Sequence, residues 1–259
     1  MHTFAIGDIH GRADLLSPLL EFIRTQAKAD GIDFRIVFLG DIIDRGPASK
    51  TAMTLVSETL VAIPGSSLVL GNHDWFPIRI LDELQGERQH MALFHWLWNL
   101  GGDATIASYG FDPESFTVAD LASRFPEEHL QLFRGAESYV ELPGHVLVHA
   151  GIVPGVPMVL QRAYDLMWIK EPFLSHEELH GKIVVHGHTV TESLLCEVRP
   201  NRISIDTGAY QTGSLSAVHI DPDGRVSFMS CDAEIGPRSV EPLDIGFGAK
   251  HATSAADPV

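Results

Sequence analysis

The chain has 259 residues, with 18 lysines and arginines against 34 aspartates and glutamates, so its formal net charge is −16 with histidine counted as neutral. Because affinity for a phosphate backbone comes from clustered basic residues, this balance argues against a nucleic-acid-binding protein. Hydrophobic residues make up 45% of the chain and charged residues 20%, which excludes a disordered protein.

The first third of the chain alternates apolar strands with amphipathic helices. A strand precedes Gly7, and the apolar runs Phe34–Leu39 and Ser67–Leu70 predict two more buried strands. Helices are predicted between them at Ala13–Asp30, which is followed by Gly31, and at Ala48–Ile63. This alternation predicts an α/β fold with parallel strand pairing and right-handed crossovers.

The middle of the chain, from Trp75 to about Gly135, has a helical pattern, and we interpret the aromatic cluster within Arg88–Leu100 as core or lid packing. Strands are then predicted at His145–Val148, Ile183–Val185, Ile203–Ile205, Leu215–Ile220 and Val226–Met229. The sequence contains no internal repeat and no linker. We therefore expect one catalytic domain over residues 1–249, followed by a disordered tail over residues 250–259.

Cellular location is predicted from three features. Cys196 and Cys231 form no CxxC pattern, which predicts neither a disulfide framework nor a thiolate zinc site and favours a reducing compartment. No stretch approaches the ~18 uncharged apolar residues of a membrane span, so no membrane partner is expected. A polar motif at residues 7–11 follows the first strand directly, and if that motif is functional we expect that no presequence can be removed without cutting the strand. We expect a cytoplasmic protein.

Polar motifs follow five of the predicted strands at their carboxyl ends. They are Gly7-Asp8-Ile9-His10-Gly11, Gly40-Asp41-Ile42-Ile43-Asp44-Arg45-Gly46, Gly71-Asn72-His73-Asp74, His149-Ala150-Gly151 and His186-Gly187-His188-Thr189. In open α/β sheets this edge is where ligands bind, so residues distant in sequence should meet there. Each motif alone would be read as a structural turn, but together they supply a complete set of metal ligands.

The donors expected to converge are all oxygen and nitrogen atoms: Asp8, His10, Asp41, Asn72, His149 and one or both of His186 and His188. Such a set suits Mn²⁺, Fe, Zn²⁺ or Co²⁺. Six ligands are too many for one tetrahedral ion, and they fit two ions sharing a carboxylate, an arrangement suited to phosphoryl hydrolysis. If strand geometry persists through Ile9, Asp8 and His10 point the same way, whereas the adjacent Asn72 and His73 should diverge.

Nine further histidines lie in no such motif. We expect them to be ordinary, mostly surface residues: His2, His90, His95, His129, His145, His176, His180, His219 and His251.

The three blocks GDxHG, GDxxDRG and GNHD, in this order, resemble those of the phosphoprotein phosphatase family of calcineurin-like metallophosphoesterases. The chain is most similar to the compact bacterial and phage serine/threonine protein phosphatases. The resemblance extends through Trp168–Phe173 and Asp206–Ala209 and covers about residues 3–230. It implies mixed β-sheets in a sandwich flanked by helices, with the site at the carboxyl ends of the strands.

The resemblance also implies a role for each motif residue. Asp8 and His10 would hold one metal ion, and Asp41 would bridge this ion to a second one. The second ion would be held by Asn72, His149 and His188. His186 would support these ligands from behind or pack in the core. His73 would be the general acid, oriented by Asp44, and Arg45 would clamp phosphate oxygens. A hydroxide bridging the two ions, most simply Mn²⁺, would attack phosphorus directly.

Lys170 departs from the family pattern, since relatives usually carry a second clamping arginine there. Lysine supplies the charge without the two-point fork. It is therefore either a weaker phosphate clamp or a solvated surface charge.

The leading functional hypothesis is a metal-dependent phosphomonoesterase acting on phosphoserine or phosphothreonine in proteins. A symmetric dinucleoside tetraphosphate hydrolase is the alternative, although those relatives tend to carry glutamine where this chain has His10. A nuclease fits less well, because Thr189 follows His188 where that group expects another histidine and because the surface is acidic. A non-catalytic metal-binding docking protein is the remaining reading, although every expected catalytic position is present.

Overall fold

A computed structural model describes residues 1–246 of the chain, and two six-stranded mixed sheets form its centre. The first sheet has the order β11-β10-β9-β1-β2-β3 and the second the order β12-β7-β8-β6-β5-β4. The strands are β1 His2–Ile6, β2 Phe34–Phe38, β3 Ser67–Leu68, β4 Tyr139–Glu141, β5 His145–Val148, β6 Ile183–His186, β7 Glu197–Arg199, β8 Arg202–Ser204, β9 Ser214–Ile220, β10 Val226–Asp232, β11 Gly236–Val240 and β12 Leu243–Asp244.

Helices cover the sheets and fill the middle of the chain. They are α1 Ala13–Asp30, α2 Ser49–Ala62, α3 Asn72–Ile78, a π-helical turn Arg79–Glu83, α4 Glu87–Asn99, α5 Gly102–Ser108, α6 Val118–Arg124, α7 Glu127–Arg134, a 3-10 turn Met158–Leu160, α8 Ala163–Trp168 and α9 Ala209–Thr212. Within residues 1–246, none of these helices is long and apolar enough to cross a membrane.

Strand pairing explains why the site motifs share one edge. In the first sheet β1, β2 and β3 run parallel, and in the second β5, β6 and β8 do so. Antiparallel partners such as β9, β10 and β7 complete both sheets, which are therefore mixed. The carboxyl ends of the parallel strands carry the loops that follow them to the same side of the molecule.

The core follows the alternation of side chains along β1. Phe4 and Ile6 face the helices and join the cluster that contains the buried leucines of α1. Ala5, between them, faces the second sheet, where it packs in a cluster with Leu147 and Val185. The outer face of the second sheet is covered by α8 and residues 169–174. The result is two sheets packed face to face with helices outside, which confirms the predicted fold class.

Helix α1 shows how the sequence specifies one of these elements. Its predicted apolar face, Leu15, Leu16, Leu19, Leu20 and Ile23, is buried as expected. The helix ends where Gly31 adopts φ 63°, a conformation that glycine adopts without steric cost, and the N–H groups of Gly31 and Ile32 donate to the carbonyls of Lys28 and Ala27.

Some expectations are wrong. Strand β1 ends at Ile6 and His10 has φ 44°, so strand geometry does not persist through Ile9, and the same-face argument for Asp8 and His10 fails. His129 and His145 are buried rather than on the surface. The predicted tail at residues 250–259, with His251, lies outside the described residues, and the single-domain assignment stays a prediction.

Candidate metal centre and catalytic site

Backbone hydrogen bonds join neighbouring loops among those that follow the parallel strands. His10 N–H donates to the carbonyl oxygen of Asp41 at 2.8 Å, and Gly187 N–H donates to that of His149 at 2.8 Å. Glycine is required where these loops touch, because a Cβ on Gly71 would lie 2.3 Å from the Asp41 backbone nitrogen. Residues distant in sequence are thereby held at one edge.

Five non-glycine residues in these loops have the left-handed backbone conformation. They are His10 at φ 44°, Asp41 at 51°, Asp44 at 74°, Arg45 at 66° and His188 at 62°. Such conformations are unfavourable for residues with a Cβ and persist only where the surrounding structure enforces them. The concentration of this strain at one edge is typical of a functional site.

Asp41 lies at the centre of the polar side chains that these loops bring together, and it is 2% exposed. Its Oδ2 is 3.6 Å from His10 Nε2, its Oδ1 is 3.5 Å from His149 Nε2, and Oδ1 also accepts the His73 N–H at 3.0 Å. Burial would raise the pKa of Asp41, but the surrounding imidazoles, His149 foremost, outweigh burial and hold the pKa below its ordinary value.

Two of the histidines around Asp41 have one ring nitrogen hydrogen-bonded to a backbone carbonyl. His149 Nδ1–H donates to the carbonyl of Leu39 at 2.7 Å, and His10 Nδ1–H donates to that of Ile43 at 2.9 Å. Burial lowers the pKa of both histidines. Each neutral ring therefore points an unprotonated Nε2 toward Asp41, the orientation that backbone carbonyls impose on metal-ligating histidines.

Asn72 brings a further acceptor to the same point. Its Oδ1 is 2.9 Å from His149 Nε2 and 2.9 Å from His188 Nδ1. Because the His149 proton is on Nδ1, two acceptors face each other at the Asn72–His149 contact. Burial lowers the pKa of His188 to about 3, so this ring is neutral and one of its two nitrogens keeps a lone pair that can bind a cation. This acceptor-rich cluster fits a cation, and its nitrogen and oxygen donors suit a divalent transition metal.

Two groups of ligand atoms meet at this point, each with its atoms within 4.8 Å of one another, and both contain Asp41. One group is His10, Asp41 and His73, and the other is Asp41, His149 and His188. A carboxylate common to both groups fits a dinuclear divalent metal centre.

Asp8 lies beside this cluster without belonging to either group. Its two carboxylate oxygens accept the His188 backbone N–H at 3.2 and 3.0 Å. Burial, together with the neighbouring carboxylate of Asp206, raises the pKa of Asp8, and burial also raises the pKa of Asp206 to about 6. Two buried acids side by side form a site where a cation would relieve the repulsion.

His73 is held in a different environment from that of Asn72, as expected for adjacent residues. Its Nδ1–H donates to Asp44 Oδ2 at 2.8 Å. Asp44 also accepts the Trp96 Nε1–H at 2.9 Å and the Thr105 hydroxyl at 2.7 Å. Burial raises the pKa of Asp44, while the hydrogen bond from His73 opposes that shift. A fully buried carboxylate therefore orients the ring and leaves Nε2 facing the cluster.

Arg45 is hydrogen-bonded to the other ring nitrogen of His73. Its Nη2–H donates to His73 Nε2 at 3.0 Å, and its guanidinium lies 4.6 Å from the ring centroid of Tyr210. The Arg45 backbone N–H donates to the carbonyl of Gly101 at 3.0 Å. A cation stacked on an aromatic ring already meets the lone pair of His73, so that nitrogen is less available to a metal ion than the free Nε2 of His10.

The family profile for calcineurin-like phosphoesterases matches residues 1–203. The chain belongs to the calcineurin-like phosphoesterase family. It is 24% identical over 227 residues to serine/threonine-protein phosphatase 2 of Escherichia coli (strain K12), covering 83% of this chain and 91% of that protein. This membership confirms the resemblance inferred from the three motif blocks.

A second relative is the symmetrical bis(5'-nucleosyl)-tetraphosphatase of Dechloromonas aromatica (strain RCB). It is 35% identical over 154 residues, which cover 60% of this chain and 45% of that protein, so the match spans about half of the relative's length. A crystal structure of a cold-active protein-tyrosine phosphatase from a Shewanella species has the same fold, with a TM-score of 0.56 and 15% identity over 93% of this chain and 80% of that one.

Two further predicted positions lie at the margin of the cluster. Lys170 is exposed. Burial is the main cause of the lowered pKa of His188, and the positive charge of Lys170 adds to it. His186 is buried, with Nε2 2.8 Å from the Ser204 hydroxyl and its ring against Phe173. It therefore packs behind the cluster instead of facing Asp41.

Several residues that shape the site were not assigned by sequence reasoning. Trp96 and Thr105 reach Asp44 from α4 and α5, and Tyr210 reaches Arg45 from α9. Asp74 accepts the backbone N–H of Ile42 at 2.9 Å and so braces the loop that carries Asp41. Asp206 lies two residues after the end of β8, a strand-end position that could have been recognised, whereas the contacts of Trp96 and Thr105 depend on helix packing.

Proposed function

We propose that this phosphoesterase is a metal-dependent phosphomonoesterase that acts on phosphoserine and phosphothreonine in proteins. The observation that carries the proposal is the buried Asp44–His73 pair beside the ligand cluster around Asp41. The E. coli serine/threonine-protein phosphatase 2, matched over 91% of its length, supports the same reading.

The residues that would hold two divalent ions follow from the donor set. Asp8 and His10 would hold the first, Asp41 would lie between them, and Asn72, His149 and His188 would complete the second. We propose Mn²⁺, with Fe, Zn²⁺ and Co²⁺ as alternatives that suit the same donors. When bound, the ions supply an activated water molecule for attack on phosphorus and neutralise phosphate charge.

His73 would donate a proton to the leaving group through Nε2. In the free protein Arg45 donates to that nitrogen at 3.0 Å. A bound phosphate dianion would attract the guanidinium, because the planar fork matches phosphate oxygens in a two-point contact. His73 Nε2 is then free to carry a proton, and the buried carboxylate of Asp44 stabilises the resulting imidazolium at Nδ1.

The need for a proton donor favours an alkyl phosphate ester as the substrate. When a serine or threonine ester is cleaved, the departing alkoxide is a strong base and requires protonation. A nucleotide released from a polyphosphate chain leaves as a stabilised anion and needs little help. An imidazole oriented by a carboxylate that is 0% exposed is therefore best matched to phosphoserine or phosphothreonine.

The test compares His73→Asn with the unaltered protein, both loaded with Mn²⁺, on a phosphoserine peptide and on p-nitrophenyl phosphate. We expect kcat to fall by ~10²–10⁴ on the peptide and by much less on the aryl ester, whose leaving group needs no proton. Equal losses on both substrates would show that His73 does not protonate the leaving group. No hydrolysis of either substrate by the unaltered protein would refute phosphomonoesterase activity.

A symmetric dinucleoside tetraphosphate hydrolase is the second candidate, favoured by the 35% identity to the D. aromatica tetraphosphatase. Product analysis distinguishes the two candidates. Our proposal predicts a higher kcat/KM for phosphopeptide than for diadenosine tetraphosphate. A reversed order, with two molecules of ADP as products, would establish the alternative.

A further inference from the structure

Three aromatic side chains, Trp168, Tyr164 and Trp75, extend outward in a row from His188 at the edge of the ligand cluster, and we call them the ladder. The Trp168 ring centroid is 6.1 Å from that of His188, and Tyr164 stacks on Trp168 at 6.0 Å with 20° between the ring planes. Trp75 meets Tyr164 edge to face at 6.3 Å. Tyr164 is 52% exposed, so the ladder reaches the protein surface.

The outer face of α4 continues this apolar surface. Met91, Phe94 and Trp98 are 66%, 64% and 46% exposed, and with His95 they occupy one side of the helix at intervals of three and four residues. The His95 ring is 5.7 Å from Phe76, which in turn is 6.3 Å from Trp168. His95 thus links this exposed helix face to Phe76, which contacts Trp168 of the ladder.

We call the set Trp75, Met91, Phe94, Trp98, Tyr164 and Trp168 the aromatic surface. The chain as a whole has a formal charge of −16, but two acidic side chains beside the ladder have partners, the first being Asp165, whose Oδ2 is 3.9 Å from Arg162 Nε. The Glu83 carboxylate there accepts the Trp75 Nε1–H at 2.8 Å, and the Arg79 guanidinium covers the same ring at 4.6 Å. Exposed apolar side chains grouped in this way mark an interaction site.

We propose that the aromatic surface binds apolar side chains that flank the phosphorylated residue of a protein substrate, an inference that rests on the proposed function. One end of the surface is at His188, so a segment lying on it would present its phosphate to the cluster. The cations at that end, Arg45 and Lys170, are complementary to the phosphate.

The size of the surface favours a polypeptide over a nucleobase. Met91 and Trp98 are seven residues apart on one helix, which corresponds to ~10 Å along the axis, before the ladder is added. A single base would cover only part of this length. A second copy of the chain is disfavoured because two bodies of charge −16 repel each other.

The experiment uses two phosphoserine peptides of equal charge, one with leucine and phenylalanine beside the phosphoserine and one with serine and glycine there. The Mn²⁺-loaded protein is compared with the double variant Phe94→Ser, Trp98→Ser. The control is Ile235→Ser, which removes a 70% exposed apolar residue at the turn between β10 and β11. Because all three side chains are exposed, the variants should fold, and thermal unfolding checks this.

We expect the unaltered protein and the Ile235→Ser control to prefer the apolar peptide by about tenfold in kcat/KM, equivalent to ~1.4 kcal/mol. The double variant should lose this preference through a higher KM for the apolar peptide. Equal kcat/KM for both peptides in the unaltered protein would overturn the inference while leaving the proposed function intact. Failure to hydrolyse either peptide would refute both.

Two other outcomes would also overturn the inference. If the double variant raises KM for diadenosine tetraphosphate and leaves the peptide preference unchanged, the surface is a platform for a base. If light scattering shows that the unaltered protein self-associates and the double variant does not, again with an unchanged peptide preference, the surface joins two copies of the chain.

Discussion

Replacing Asp44 by asparagine tests the proton-donor role of His73 through its partner. The carboxylate accepts from His73 Nδ1–H at 2.8 Å, from Trp96 at 2.9 Å and from Thr105 at 2.7 Å. An amide has only one acceptor oxygen, so its NH₂ group must face one of these donors. If the NH₂ group faces His73, Nδ1 must accept a hydrogen bond and the ring proton moves to Nε2. Two N–H groups, those of His73 Nε2 and Arg45 Nη2, would then face each other at a contact of 3.0 Å. The imidazolium also loses its counter-charge.

We expect Asp44→Asn to lower kcat on a phosphoserine peptide by ~10²–10⁴, the usual contribution of a general acid. Loss on p-nitrophenyl phosphate should be at least tenfold smaller. Stability should change little, because burial raises the pKa of Asp44. A raised carboxyl pKa means that the folded state favours the protonated form, so this group's contribution to stability is full below its unfolded pKa and is lost as pH rises through its folded pKa.

At pH 7 the neutral amide therefore avoids the unfavourable burial of a charge while losing one hydrogen bond, and we expect the free energy of unfolding to change by less than ~2 kcal/mol. Steady-state kinetics with Mn²⁺ and urea unfolding measure the two quantities. Trp96→Phe is the control, because it removes one donor to Asp44 and keeps the carboxylate. Equal losses on the peptide and the aryl ester would refute the reasoning.

Three further changes test the surroundings of the cluster. Gly187→Ala would place a Cβ 2.0 Å from Asp8 Oδ1, so we expect weaker Mn²⁺ binding by calorimetry, whereas Gly144→Ala, with open space around it, should bind normally. Burial raises the pKa of Asp206 from 3.8 to about 6. Ionisation of this carboxyl should therefore lower the free energy of unfolding of the metal-free protein by up to ~3 kcal/mol as pH rises from 4 to 7. The variant Asp206→Asn should flatten this pH profile, measured by urea unfolding. An unchanged profile would contradict the shift. Lys170→Arg should preserve or raise kcat/KM and Lys170→Met should lower it; no effect of Lys170→Met would remove Lys170 from the site.

Local sequence patterns predicted the elements of the fold well. The apolar face of α1 and the runs at β2, β5 and β6 are specified by residues close together in the chain, so their periodicity was enough. Strand β11, Gly236–Val240 in the first sheet, was not predicted. The short strands β4, β7 and β12 were also missed, because two or three residues carry no periodic pattern. Their pairing is set by neighbours in the second sheet.

The site was predictable to the extent that strand ends mark it. The strand-end motifs led to Asp41, Asn72 and His149, which the structure brings within hydrogen-bonding or ion-pairing distance of their neighbours. Asp8 and His10 do not share a strand face, because β1 ends at Ile6, although both residues lie in the loop at the expected edge. Their positions follow from loop contacts with the Asp41 segment, which no spacing rule describes.

Residues that support the site from helices could not be predicted in the same way. Trp96 was interpreted as core or lid packing, and it is 0% exposed, yet its indole N–H also donates to Asp44. Thr105 and Tyr210 belong to helices whose packing angle decides which side chain reaches the site. Such contacts depend on tertiary packing and have no local sequence pattern.

We propose that two divalent ions share Asp41, one held with Asp8 and His10 and the other with Asn72, His149 and His188. Crystals grown with Mn²⁺ and measured at the manganese absorption edge test it most directly. We predict two anomalous peaks per chain, one on each side of the Asp41 carboxylate, with His10 at one and His149 and His188 at the other. A single peak, or peaks away from Asp41, would contradict the dinuclear centre and the hydrolytic function built on it.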